Sequence, residues 1–480
     1  MKRQQNLDKL TAFTSHEEYK LYASEKPKNA SLHRSLITTL VNSENMVRQM
    51  IAQMQGKPVP DLPTEGGHLE YGLMLYWLDN PPTLPPEFND VVRAWKIIAL
   101  IAAVYGANTK ISTADYNELL AKATSTGVAG ADGTLYAPPP YAAFDPYWIM
   151  APIYYYFNIE FPESIHTFGT NPANINISSS KPNISVAIIG DWGTGTYGTD
   201  FGGHGPAVAV INAVKQLAPD YLVHLGDVYY VGSDDRLPLH EEQRNLLNLW
   251  PSTLPAGCGF TLNSNHEMYG GAQGLFSVAL ADSRFSQQQK TSYFALNYGN
   301  WVILGLDSAY YDDSSLYMDG ALGNAENTQQ ADFIKTLGDL SQKKVLTMAH
   351  HNGLTFDGKT RMSIWDDMAN TLGAYAGKPR TPDVWYWGHL HQGTVYNTNS
   401  AAGNECLCRC VGHSAFPFGD TFGVVQNNVE YNAQTPIASG NAKMQNGFAM
   451  LTLKPDGTMT ETFYEVKNDG SYTQVWQSHS

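Results

Sequence analysis

The chain has 480 residues, 43% of them hydrophobic, and a formal net charge of −15. It is longer than a usual single domain and apolar enough for packed cores, which excludes wholesale disorder and predicts two domains. A general binder of phosphate backbones would be basic, so bulk nucleic acid is not an expected partner; a small anion remains one, because a bound metal would dominate its local field.

The chain starts MKRQQNLDKLTAFTSHEEYK, with basic residues but no apolar h-region, so no signal peptide is read. The expected location is the cytoplasm, with a secreted form left open. SLHRSLITTLVNSENMVRQMIAQMQG (31–56) carries apolar positions at helical spacing and closes on Gly56. VVRAWKIIALIAAVYG (91–106) is a second, more buried helix; its apolar core at 97–105 is too short to span a bilayer, so no transmembrane segment is expected. STADYNELLAKA (112–123) opens with a Ser/Thr cap. Residues 1–170 therefore read as a mainly helical N-terminal domain of unassigned role. Within it, YAPPPYAAFDPYW (136–148) is turn-rich, and the aromatic PIYYYFNIEF (152–161) reads as core or domain interface. The Asn/Ser/Pro-rich stretch that follows reads as a linker over 171–183.

From 184 to 480 strands alternate with helices, which argues βαβ units. GPAVAVINAVKQLA (205–218) and ENTQQADFIKTLGDLSQ (326–342) are the helices, and 292–308 reads as a hairpin turning at Gly299-Asn300. The C-terminal part is strand-rich and turns at Pro455-Asp456-Gly457. Cys258 stands alone. Cys406, Cys408 and Cys410 alternate in ECLCRC, which puts them on one face of a strand; they read as small buried apolar side chains rather than a soft-metal cluster.

Five strings in this region end in metal-ligand residues after apolar runs that read as buried strands. They are ISVAIIGDWG around Asp191, YLVHLGDVYY around Asp227 and Tyr230, FTLNSNHE around Asn265 and His266, KVLTMAHH around His350, and VWYWGHLH around His389 and His391. Ligands that close successive strands of an α/β sheet converge on one rim. His389 and His391, two apart on an extended segment, point the same way. Each residue alone is as well read as a turn, a cap or a core histidine; their order is what makes a site.

That order resembles the calcineurin-like metallophosphoesterases, and within them most the purple acid phosphatases, over roughly residues 183 to 465. The family strings GDxG, GDxxY, GNHE, VxxH and GHxH stand here as Gly190–Gly193, Gly226–Tyr230, Ser264–Glu267, Thr347–His350 and Gly388–His391. Ser264 replaces a glycine and Thr347 a valine. The resemblance implies a four-layer α/β sandwich: two mixed β-sheets flanked by helices. It also implies two metal ions, with Asp227 bridging. Asp191, Tyr230 and His391 would complete one shell; Asn265, His350 and His389 would complete the other. Gly193 stands where many relatives have an imidazole ligand. A Tyr230 phenolate would replace it and suit Fe(III), while the second shell suits Fe(II), Zn or Mn.

By the same resemblance His266 contacts the phosphate and protonates the leaving group, with Glu267 beside it as a residue to orient it. Asn265, His351 and His204 are further substrate-contact candidates. The family's extra substrate histidine after VxxH has no counterpart in NGLTFDGKTR (352–361). Two cations about 3.5–4 Å apart supply a nucleophile, charge neutralisation and leaving-group help. The implied activity is therefore an acid-phosphatase-like phosphoric ester hydrolase, in which metal-bound hydroxide attacks a small phosphomonoester. Two alternatives stay open: a phosphodiesterase acting on nucleotides or phospholipids, and a partner-binding protein with a vestigial metal centre. The sequence names neither a natural substrate nor an oligomeric state.

Overall fold

The computed structural model describes residues 162–196, 205–234, 240–415, 426–436, 444–467 and 469–478, with Tyr141, Ala151, Tyr154, Tyr155 and Asn158 before them. The helices expected at 31–56, 91–106 and 112–123, and with them the helical character of the N-terminal domain, lie outside the described residues, as does His204. The chain divides into two compact units, Met1–Ser164 and Ile165–Ser480. In the aromatic run 152–161, Tyr154 and Tyr155 are buried.

The second unit is built on two mixed sheets. The larger has the strand order β1 (Ala173–Ile177), β5 (Phe294–Tyr298), β6 (Trp301–Gly305), β7 (Lys344–Met348), β8 (Val384–Trp387), β10 (Leu407–Val411), β9 (Gly393–Tyr396) and β11 (Val429–Asn432). The smaller runs β14 (Tyr472–Gln477), β13 (Met459–Val466), β12 (Asn446–Leu453), β2 (Ile184–Ile189), β3 (Tyr221–His224) and β4 (Gly259–Thr261). Their facing sides share one apolar core, with Val186, Val223, Phe260 and Leu451 from the smaller sheet against Phe294, Ile303, Leu346 and Tyr386 from the larger. Each such side chain, fully buried, contributes about 1.5–3 kcal/mol. Helix α1 (Pro206–Leu217) covers β12 and β13, while α3 (Gln329–Thr336) and α4 (Ile364–Leu372) pack on each other. The result is the α/β sandwich of two mixed sheets with flanking helices.

The local signals explain the element bounds. Pro206 opens α1 with its φ already helical and no N–H to leave unpaired. The predicted helix 326–342 contracts to Gln329–Thr336, because Leu337 caps it and Gly338 turns left-handed at φ 82°. The hairpin at Gly299-Asn300 and the Pro455-Asp456-Gly457 turn join β5 to β6 and β12 to β13 in antiparallel register.

The stretch 171–183 contains regular structure. Ala173–Ile177 is a strand, paired in parallel with β5 along its whole length. Its inward positions Ala173, Ile175 and Ile177 pack against the core, while Asn174 and Asn176 alternate outward. That is a period of two hidden in a polar composition. The cysteine segment forms β10, and Cys406, Cys408 and Cys410 are all buried.

Candidate metal centre

Strands β2, β3 and β4 are parallel neighbours in the smaller sheet, so their carboxyl ends share a rim. Asp191 follows β2, Asp227 follows β3, and Asn265 follows β4. Strands β7 and β8 are parallel neighbours in the larger sheet and deliver His350, His389 and His391 to the same place. The residues expected on one rim thus come from two sheets meeting across the core.

The backbone is bent to aim them. Asp191, Asp227, His389 and His391 all have positive φ, at 54°, 74°, 64° and 52°. Non-glycine residues seldom adopt that region, and where they do the strain usually serves a site. Glycines make room. A Cβ on Gly388 would lie 2.5 Å from Asp191 Oδ2, and one on Gly193 would run into Val228. No imidazole fits at 193, where many relatives carry one.

Asp227 sits at the centre, fully buried. Its Oδ1 accepts from Ser264 Oγ at 2.5 Å and lies 3.2 Å from His350 Nε2. Its Oδ2 accepts from Tyr229 Oη at 2.9 Å and lies 3.9 Å from His391 Nε2 and 4.0 Å from His266 Nε2. Asp191 accepts from Tyr229 Oη at 3.1 Å, lies 3.3 Å from His391 Nε2, and takes the His389 backbone N–H at 3.0 Å.

His350 reveals what this arrangement is for. Its Nδ1 lies 2.9 Å from the Leu225 carbonyl, which can only accept, so Nδ1 carries the proton. Its Nε2 is then a lone pair, facing Asn265 Oδ1 at 2.9 Å, Asp227 Oδ1 at 3.2 Å and His389 Nδ1 at 3.1 Å. The Asn265 amide is oriented by its Nδ2, which donates to Tyr269 Oη at 3.1 Å. Acceptors that face one another repel unless a positive charge lies between them, so this donor set fits a cation.

The electrostatics agree. Burial, then the charge of Asp227, pushes the Asp191 carboxyl well above its ordinary range. Burial lowers His350 to about 3 and moves His389 and His391 down as well. Neutral imidazoles and crowded carboxylates are what divalent and trivalent ions bind. Asp191, Asp227 and His350 offer ligand atoms within 4.8 Å of one another.

The structure places three groups of expected residues as follows. The hydroxyl that meets Asp191, Asp227 and His391 belongs to Tyr229, 3.3 Å from His391 Nε2, and not to Tyr230. Tyr230 contributes two backbone contacts: its N–H bonds Glu241 and its carbonyl lies 2.7 Å from His266 Nδ1. That carbonyl, rather than Glu267, orients His266. Glu267 instead accepts the backbone N–H groups of Asp227 and Val228, each at 3.2 Å, and contacts Ser264 Oγ. Burial, then the Asp227 charge, pushes Glu267 up to about 8.

The third is His351. Its Nδ1 lies 2.8 Å from Ser308 Oγ and its Nε2 lies 2.9 Å from the Tyr317 carbonyl. Both ring nitrogens are thus engaged, and His351 also lies with His350 and His389 in a group whose ligand atoms are within 4.8 Å of one another. His266 and His391 form the open side, with side chains 11% and 31% exposed. Sequence reasoning missed Tyr229, the serine hydroxyl of Ser264 and the Glu241 contact. The two adjacent tyrosines carried the only signal, and it did not say which hydroxyl would meet the aspartates.

Residues 184–393 match the family model for calcineurin-like phosphoesterases, and every strand-end residue above lies inside that span. The match supports that superfamily for the two-sheet unit, and with the His/Asp cluster it supports a metal-dependent phosphoesterase. The fold of that superfamily implies a dinuclear metal centre. No curated protein matches the chain. No helix among the described residues is long and apolar enough to cross a membrane.

Proposed function

We propose that the chain hydrolyses small phosphomonoesters at a two-cation centre, in the manner of the purple acid phosphatases it resembles. The observation that carries this reading is Asp227, whose two oxygens face opposite donor groups: Oδ1 toward His350, Oδ2 toward Tyr229 and His391. Asp191, Tyr229 and His391 would hold one cation; Asn265, His350 and His389 would hold the other. A phenolate beside two carboxylates favours a hard Fe(III), and the amide–imidazole set favours Fe(II), Zn or Mn.

When bound, the cations supply a nucleophilic water at neutral pH and neutralise the phosphate oxygens. The chain's own groups do the rest. His266, fixed through Nδ1 by the Tyr230 carbonyl, presents Nε2 on the open side, 4.0 Å from Asp227 Oδ2. There it can bond a phosphate oxygen and deliver a proton to the departing alkoxide. His391 shares the open edge, and His204 remains a candidate substrate contact. The complete donor set and His266 argue against a vestigial centre.

The test is hydrolysis of p-nitrophenyl phosphate beside bis-p-nitrophenyl phosphate across pH, with Asp227→Asn as control. Faster monoester cleavage, lost in the variant, supports the proposal. Preference for the diester would replace it with a phosphodiesterase. Turnover of neither ester, with cations bound, would overturn hydrolysis in favour of partner binding.

A further inference from the structure

We propose that Ser264 is a positioning residue that holds Asp227 Oδ1 and thereby sets the affinity of the cation site formed by Asn265, His350 and His389. The inference rests on the two-cation reading above.

Ser264 stands where the family string GNHE has glycine, so its hydroxyl departs from that string. The side chain is fully buried and has a fixed set of neighbours. As N-cap of α2 (Asn265–Tyr269) it accepts the His266 backbone N–H at 3.0 Å. It also donates to Asp227 Oδ1 at 2.5 Å, which shares this hydroxyl with the Glu267 carboxyl. Gly226 packs against it so closely that a Cβ there would lie 2.8 Å from the Ser264 Cβ.

The two oxygens of Asp227 are therefore each tethered by one hydroxyl: Oδ2 by Tyr229 and Oδ1 by Ser264. The tethers act on different sides. Tyr229 also bonds Asp191 and lies beside His391, so it belongs to the first shell's own donors. Among the described residues Ser264 hydrogen-bonds no other candidate ligand side chain; it acts on Oδ1, which faces His350. A glycine at 264 would leave Oδ1 facing the His350 lone pair with no hydroxyl to orient it. Outer partners that orient ligating carboxylates change metal affinity by about 10–100-fold.

The experiment titrates metal-free full-length chain with Mn(II), reading free Mn(II) by electron paramagnetic resonance, for wild type, Ser264→Ala and Ser264→Gly. Glycine is itself a favoured helix N-cap, so Ser264→Gly removes the tether with little loss of the cap. Thermal unfolding of each variant checks the fold. The expected result is two binding steps in wild type, with one weakened by about 10–100-fold in both variants and the other unchanged. Two unchanged steps in Ser264→Gly would overturn the role of Ser264 and leave the two-cation reading standing. Equal weakening of both steps at an unchanged melting temperature would overturn it too, since the effect would not be confined to one site. Fewer than two steps in wild type would sink the two-cation reading and this proposal with it.

Discussion

His350 donates its Nδ1 proton to the carbonyl of Leu225 at 2.9 Å, from the end of a strand in one sheet to the end of a strand in the other. This single bond fixes the tautomer, aims the Nε2 lone pair at Asp227 and Asn265, and ties the two halves of the centre together. Such bonds to ligating imidazoles raise their basicity and hold their rings.

Replacing His350 by alanine should remove one shell and spare the other. Metal analysis should find about one cation per chain instead of about two. Hydrolysis should fall by more than about 100-fold, because even outer partners cost 10–100-fold. Two cations retained, with activity, would show that His350 is only a packed histidine.

Tyr229 and Tyr230 are separable by colour. If Fe(III) binds beside a phenolate, the loaded protein absorbs visible light through charge transfer from that phenolate to the metal. Tyr229→Phe should abolish the band and Tyr230→Phe should keep it, since the hydroxyl bonded to Asp191 and Asp227 is that of Tyr229. Loss in Tyr230→Phe alone would return the ligand to the motif position.

Arg409 on β10 and Glu461 on β13 form a second link between the sheets. The pair is buried and bidentate, with Nε–Oε1 at 3.0 Å and Nη2–Oε2 at 2.8 Å, and Tyr386 donates to the same carboxylate at 2.5 Å. Arg409→Met leaves Glu461 buried and uncompensated, so urea unfolding should register a loss of about 3–5 kcal/mol. The double variant Arg409→Met with Glu461→Leu should recover most of it, because well-packed apolar pairs replace buried ion pairs at little cost. A single variant as stable as wild type would mean that the bridge carries no net weight.

His413 gives a pH test. It is buried, neither ring nitrogen has a hydrogen-bond partner among the described residues, and burial lowers it to about 3. Unfolded, it would titrate near 6.5. The folded state thus binds this proton more weakly than the unfolded chain does. The stability tied to His413 is present above about 6.5 and is lost as pH falls toward about 3. His413→Phe keeps a flat ring without that liability. Its stability relative to wild type should rise by about 2 kcal/mol between pH 7 and pH 5, since each unit is worth about 1.4 kcal/mol. A constant difference across that range would mean the imidazole finds a partner on protonation.

By itself the sequence determined the α/β class of the second unit, the strands that end in Asp191, Asp227, Asn265, His350 and His389, and the gathering of those residues at strand ends. These are local properties: an apolar run, a turn and a ligand type fall within ten residues of one another, and burial period and turn chemistry are written in such windows. The strand at Ala173–Ile177 escaped because its alternation was shallow and its outward side chains were asparagines.

Only the tertiary structure decided which of two adjacent buried tyrosines put its hydroxyl on Asp191 and Asp227, and that Glu267 clasps the Asp227 backbone while the Tyr230 carbonyl holds His266. It alone committed both nitrogens of His351 to Ser308 and Tyr317. Each of these outcomes depends on torsions at one or two residues and, the local Tyr229–Asp227 bond apart, on partners 34 or more positions away. Hydrogen bonds reward a donor for reaching an acceptor within about 3 Å, and no pattern along the chain encodes that distance.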